Sequence, residues 1–152
     1  MLAFRPERLG HAVTAAAEEG LMPALLTSRI PVELCLTSNV LSQSVSSYGA
    51  HHFADLWSAH HPVVLCTDDS GVFDTCLSRE YAIAASAFKL NRHQLWCIAQ
   101  SGFEHSFAPP AVRAALLERV RVLRAGEEQV LTPLACTRAA DIDTDTRCDD
   151  FQ

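Results

Sequence analysis

Apolar positions along this chain fall into short compact runs separated by longer stretches with helical spacing. Pro31-Val32-Glu33-Leu34-Cys35-Leu36 is bounded by proline on one side and by Thr37-Ser38-Asn39 on the other, which predicts a buried strand. Pro62-Val63-Val64-Leu65-Cys66 predicts a second, running straight into Thr67-Asp68-Asp69-Ser70-Gly71. Residues 4–11, with Pro6 and Gly10, read as a turn-like lead, and the Ala-rich residues 12–26 as a helix broken near Gly20 to Pro23. The Ser-rich residues 42–49 predict a loop, and residues 51–60 a helix with Phe53, Leu56 and Trp57 on one side. Further along, Ser78 is the expected cap of a helix through Phe88, and Asn91 of one from Arg92 to about Ser101. Pro109-Pro110 starts a last helix through about Arg124, carrying Val112, Leu116, Leu117 and Val120.

Strands alternating with helices predict a parallel α/β arrangement. In a (β/α)8 barrel the chemistry sits where strands end. Polar residues follow both strong strands here, as Thr37-Ser38-Asn39 and Thr67-Asp68-Asp69. Residues 125–152 contain Asp141, Asp143, Asp145, Asp149 and Asp150 with few large apolar side chains, and predict a disordered acidic tail after a folded region of residues 1–124.

With 152 residues the chain can bury the core of one domain. Its net charge of -6, with no Lys/Arg stripe, argues against a nucleic-acid partner. No run approaches the roughly 18–20 apolar residues of a membrane span, and no secretory signal is visible at Met1 to Arg8. Cys35, Cys66, Cys76, Cys97, Cys136 and Cys148 are scattered rather than paired, which predicts reduced thiols and a cytosolic protein.

Asp68-Asp69 is the sharpest chemical signal. Two adjacent carboxylates at the mouth of a buried strand repel each other unless a cation or hydrogen-bond donors compensate, and a divalent metal would do so. The alternative is an ordinary Asx turn with Ser70-Gly71. In Arg8-Leu9-Gly10-His11, the histidine either packs without function or stabilises a proton near neutral pH at a strand end. His51-His52 and His60-His61 read as helix residues rather than metal ligands. Glu80 reads as half of a helix-surface or inter-helix ion pair.

Three segments, in order, resemble the adenosine/AMP deaminase family. Arg8-Leu9-Gly10-His11 is similar to its R-[IVL]-G-H segment, and residues 33–39 to its E-x-C-x-[TS]-S-N strand. Thr67-Asp68-Asp69 with Phe73 is similar to its T-D-D-x-x-x-F segment, and residues 77–81 to its L-x-x-E-Y helix. The residues after Asp69 look closest to the adenosine deaminase-like branch, which acts on N6-methyl-AMP. The resemblance implies the C-terminal part, about three β/α units, of a (β/α)8 barrel with one catalytic Zn2+. It implies Asp68 as a zinc ligand, Asp69 as the residue that hydrogen-bonds the purine, and His11 as the histidine that orients or deprotonates the zinc-bound water. It further implies a supporting role for Ser38 and Asn39, and a purine nucleoside or nucleotide as partner. Ala12 stands where the family has glycine.

The family's H-x-H pair and its His-x-x-Glu segment have no counterpart in this sequence. One carboxylate falls short of the three or four ligands zinc requires, so the isolated chain is expected to be inactive. A complete barrel is expected to be monomeric and a partial one to depend on a partner, because an open sheet exposes a strand edge. The competing expectations are a non-catalytic interaction module, deamination of adenosine to inosine, and a different α/β metallohydrolase.

Overall fold

The computed structural model describes residues 2–131. Three short parallel strands form one sheet in the order β1 (Leu9–Gly10), β2 (Val32–Leu34), β3 (Val63–Leu65). Leu9 pairs with Val32, Val32 with Val63, and Leu34 with Leu65, so the strand ends lie level. The strand within residues 4–11 is an addition to the expected turn-like lead. Two residues are too few for a visible alternation, and β1 exists through its pairing to β2.

The helices are α1 (Val13–Ala17), α2 (Leu21–Ser28), α3 (Leu36–Leu41), α4 (Phe53–Ser58), α5 (Leu77–Phe88), α6 (Arg92–Glu104) and α7 (Pro110–Leu131). The expected break near Gly20 divides α1 from α2, with Gly20 at φ 83, a conformation that glycine adopts at little cost. Val32 and Leu34 are fully buried, while Glu33 on the opposite face is partly exposed and pairs with Arg8 at 3.0 Å. The core joins these strand residues to Leu25, Leu36, Phe53, Leu56, Val63, Leu65, Ala84 and Ile98. Phe53 of α4 stacks on Phe88 of α5 with ring centroids 4.5 Å apart.

Three boundaries differ from the sequence reading. The apolar run containing β2 ends as a strand at Leu34, and Leu36 already opens α3, so Thr37, Ser38 and Asn39 lie on a helical turn. The cap of α5 is Cys76, not Ser78, because the amides of Arg79 and Glu80 bond the Cys76 carbonyl. Asn91 caps α6 as expected and forms a full capping box with Gln94. The last helix continues to Leu131, so residues 125–131 are helical rather than tail. The remainder of the expected acidic tail lies outside the described residues.

Cys35, Cys66 and Cys76 are free, but Cys97 is disulfide-bonded, against the expectation of reduced thiols. Cys97 sits half-buried on α6 rather than inside an apolar strand. Among the described residues, no helix is long and apolar enough to cross a membrane.

Candidate active site at the strand ends

Each strand delivers one polar side chain at its C-terminal end. His11 follows β1, Cys35 follows β2, and Asp68 lies three residues beyond β3. Their ligand-capable atoms all lie within 4.8 Å of one another. His11 Nε2 stands 3.6 Å from Asp68 Oδ2, with both side chains about two-fifths exposed. The two residues flagged by separate sequence segments therefore meet, because level parallel strands bring their ends together.

Both residues occupy left-handed backbone, each at φ 58. The fold holds these positions with specific bonds. The His11 amide donates to the Glu33 carbonyl at 2.8 Å, and His52 Nε2 donates to the His11 carbonyl at 2.6 Å. The Asp68 amide reaches Cys66 Sγ at 3.4 Å, and Ser38 Oγ donates to Asp68 Oδ2 at 2.9 Å. Asn39 Nδ2 lies 3.1 Å from His11 Nδ1, and Asn39 Oδ1 lies 3.0 Å from His51 Nε2. Ser38 and Asn39 thus support Asp68 and His11 respectively, from the first turns of α3.

Asp69 is placed differently. Its Oδ1 accepts the amides of Gly71 at 3.1 Å and Val72 at 3.0 Å. This is the Asx-turn geometry that the dipeptide alone suggests. The turn leaves Asp69 exposed beside Asp68 at the mouth of β3.

Cys35 was not singled out by sequence as a site residue, and His51, His52 and Glu80 were given other roles. Cys35 is almost fully buried, and burial, with the neighbouring Cys66 and Asp68, pushes its thiol pKa well up. His51 and His52 are buried just before α4, with their rings stacked 4.3 Å apart. Burial, with His52 and His11 adjacent, lowers the His51 pKa to about 3. Burial also lowers His52, although its bond to the His11 carbonyl opposes this. Among the described residues Glu80 forms neither the helix-surface nor the inter-helix ion pair expected of it. It is fully buried and accepts the Thr37 amide at 3.1 Å, the Thr37 hydroxyl, and the Thr75 hydroxyl at 2.7 Å. Those donors compensate the desolvation of a buried carboxylate and hold the start of α3 in place.

Of the three groups that meet at the strand ends, the exposed Asp68 carboxylate is the one placed to reach a divalent metal, since Cys35 is almost fully buried with its thiol pKa raised. No second carboxylate or histidine joins this group among the described residues.

Residues 2–123 match the family model described as adenosine deaminase. The chain is 42% identical to the N6-methyl-AMP deaminase-L of Xenopus laevis over 124 residues, covering 82% of this chain and 36% of that protein. It is 46% identical to the N6-mAMP deaminase of Arabidopsis thaliana over 116 residues, covering 76% of this chain and 32% of the relative. The apo structure of the N6-methyl-AMP deaminase from Arabidopsis thaliana superposes with a TM-score of 0.72 at 41% identity, covering 83% of this chain and 36% of that one. Arabidopsis ADAL complexed with IMP gives 0.73 at 40% identity, covering 85% and 36%. The chain therefore spans about a third of the length of these relatives and corresponds to their C-terminal portion, three β/α units of a barrel. The adenine deaminase of Arthrobacter aurescens, at 20% identity and a TM-score of 0.72, shares the fold. By its sequence match and its fold, this chain belongs to the adenosine deaminase family.

Proposed function

We propose that this chain forms part of the active site of a zinc-dependent deaminase acting on a 6-aminopurine nucleotide, with N6-methyl-AMP giving IMP and methylamine. The observation that carries this reading is the convergence of His11 Nε2 and Asp68 Oδ2 at the ends of two parallel strands, 3.6 Å apart. The similarity to N6-methyl-AMP deaminases, and to a relative solved in complex with IMP, supports a nucleotide rather than a nucleoside.

In this reading Asp68 is a zinc ligand, held in place by Ser38. Zinc, when bound, lowers the pKa of water to about 7 and so supplies the nucleophile. His11 orients that water, supported by Asn39 and His52. Asp69 hydrogen-bonds the purine ring while its other role, closing the turn to Gly71 and Val72, fixes its position. Water adds at C6, the C6–N bond breaks, and methylamine leaves with the proton that the water loses.

On its own, this chain brings one carboxylate and an orienting histidine, fewer ligands than a zinc site needs, so we expect it to lack turnover. The sheet edge at β1 and the cleft of about 600 Å³ beside it, lined by Leu2, Leu9, Leu21 and Leu25, support dependence on further strands, with a monomer once the barrel is closed. The cytosol is the location this reading expects, with Cys35, Cys66 and Cys76 free and the Cys97 disulfide counting against it.

The test is a chimera in which residues 2–123 replace the matching portion of the Arabidopsis N6-mAMP deaminase. Zinc-dependent release of methylamine from N6-methyl-AMP, abolished by Asp68→Asn, is the expected result. A folded chimera that retains zinc after that substitution would sink the assignment of Asp68.

A further inference from the structure

Asn39 bridges two histidine rings, and the direction of its hydrogen bonds is fixed by the main chain. The Phe53 amide donates to His51 Nδ1 at 3.0 Å. A backbone N–H can only donate, so His51 Nδ1 carries a lone pair. His51 is a buried neutral imidazole, and its single proton therefore sits on Nε2. That Nε2–H faces Asn39 Oδ1 at 3.0 Å and donates to it.

With its oxygen committed to His51, Asn39 turns its NH2 group to His11 Nδ1 at 3.1 Å and to Ser44 Oγ at 3.3 Å. His11 Nδ1 is then an acceptor, and the proton of the neutral ring lies on Nε2, the atom facing Asp68. Exchanging the amide oxygen and nitrogen fails. It would require His51 to accept at both ring nitrogens, which a neutral imidazole cannot do.

We infer that His51 and Asn39 are positioning residues that hold His11 in the Nε2–H tautomer, so that His11 presents a hydrogen-bond donor rather than a lone pair at the strand ends. Relayed from the Phe53 amide, this order runs through two side chains to the ring beside Asp68. It rests on the proposed function only in naming what His11 meets there. In that site His11 orients the attacking water, and the alkoxide-like oxygen it becomes on adding to C6, by donation. Accepting a proton at Nε2 would first require the ring proton to move to Nδ1, against the Asn39 donor. His11 also stands outside a metal's ligand shell in this tautomer, because a ligating nitrogen needs its lone pair.

The experiment is a two-bond 1H–15N correlation of the imidazoles in the uniformly labelled 152-residue chain near neutral pH, without metal. His11 is assigned by the signals lost in His11→Gln. The expected spectrum has His11 Nε2 protonated and Nδ1 bare, with a preference of roughly tenfold or more. Asn39→Asp replaces the donor with a carboxylate oxygen and is expected to bring a proton onto Nδ1. A proton on Nδ1 in the natural chain, alone, mixed or together with one on Nε2, overturns the inference. So does an Asn39→Asp variant that folds and keeps Nδ1 bare. If that variant does not fold, the natural chain's spectrum decides. The readout involves neither zinc nor turnover, so an inactive chimera would sink the deaminase reading and leave the tautomer result standing.

Discussion

Ser38 donates its hydroxyl to Asp68 Oδ2 at 2.9 Å and so ties the first turn of α3 to the loop that follows β3. The bond occupies one lone pair of the oxygen that faces His11 and limits how the carboxylate can rotate. Partners of this kind orient metal ligands, and their loss typically lowers metal affinity about 10- to 100-fold. Ser38→Ala in the chimera is expected to weaken zinc retention to that extent in competition with a chelator. Its effect on folding stability is expected to stay near 1 kcal/mol. An unchanged zinc affinity would mean that Asp68 is not a ligand.

His51 makes stability depend on pH. Its ordinary pKa is 6.5, and burial lowers it to about 3 in the folded chain. Between these values the unfolded chain binds a proton that the folded chain refuses, so unfolding gains protons and stability rises with pH. The stabilisation is complete above about 6.5 and is lost progressively as pH falls towards 3. His52, His61 and His105, all lowered mainly by burial, act in the same direction. The urea midpoint is expected to drop from pH 7 to pH 4, and His51→Gln to make that drop shallower. An identical pH slope in the variant would show that His51 is not the group responsible.

The strand–helix alternation was legible from local pattern, whereas the meeting of His11 with Asp68 was implied only by the family resemblance, because residues 4–11 read as a turn-like lead and β1 exists through its pairing to β2. The surroundings were not legible. Asn39 bonds His11 across 28 residues and Glu80 bonds Thr37 across 43, and neither distance leaves a periodic trace in the sequence. Glu80 read as half of a helix-surface or inter-helix ion pair because carboxylates rarely lie fully buried without a charged partner. Only the fold shows that three donors converge on it. His51 and His52 were placed correctly near a helix start, but their partners, Asn39 and the His11 carbonyl, lie 12 and 41 residues away. Asp69 remains legible in both ways, since the turn seen in the structure and the purine contact proposed for it use different consequences of one carboxylate.

Ala12 carries a local strain that the sequence comparison foreshadowed. It sits at φ 54 and ψ 27, and its amide closes a tight turn onto the Gly10 carbonyl. Left-handed backbone costs a residue with a Cβ about 1–2 kcal/mol, whereas glycine avoids that cost and gives part of it back through a more flexible unfolded chain. Ala12→Gly is expected to stabilise the chain by about 0.5–1 kcal/mol, read as an increase in the urea midpoint. A lower midpoint would show that the methyl group's packing against the core outweighs the backbone strain.

Asp69 allows its two roles to be separated by one atom. The turn uses Oδ1 as acceptor for the amides of Gly71 and Val72, and an asparagine oxygen accepts equally well. Asp69→Asn is therefore expected to leave stability within about 0.5 kcal/mol of the natural chain, while Asp69→Ala loses the turn bonds and about 1 kcal/mol. A purine read by the carboxylate loses a charge-assisted hydrogen bond in both variants, worth roughly 10- to 100-fold in kcat/KM. In the chimera, Asp69→Asn should thus impair deamination of N6-methyl-AMP without moving the urea midpoint. If activity instead follows stability, falling in Asp69→Ala and persisting in Asp69→Asn, the residue acts only by closing the turn that carries Asp68.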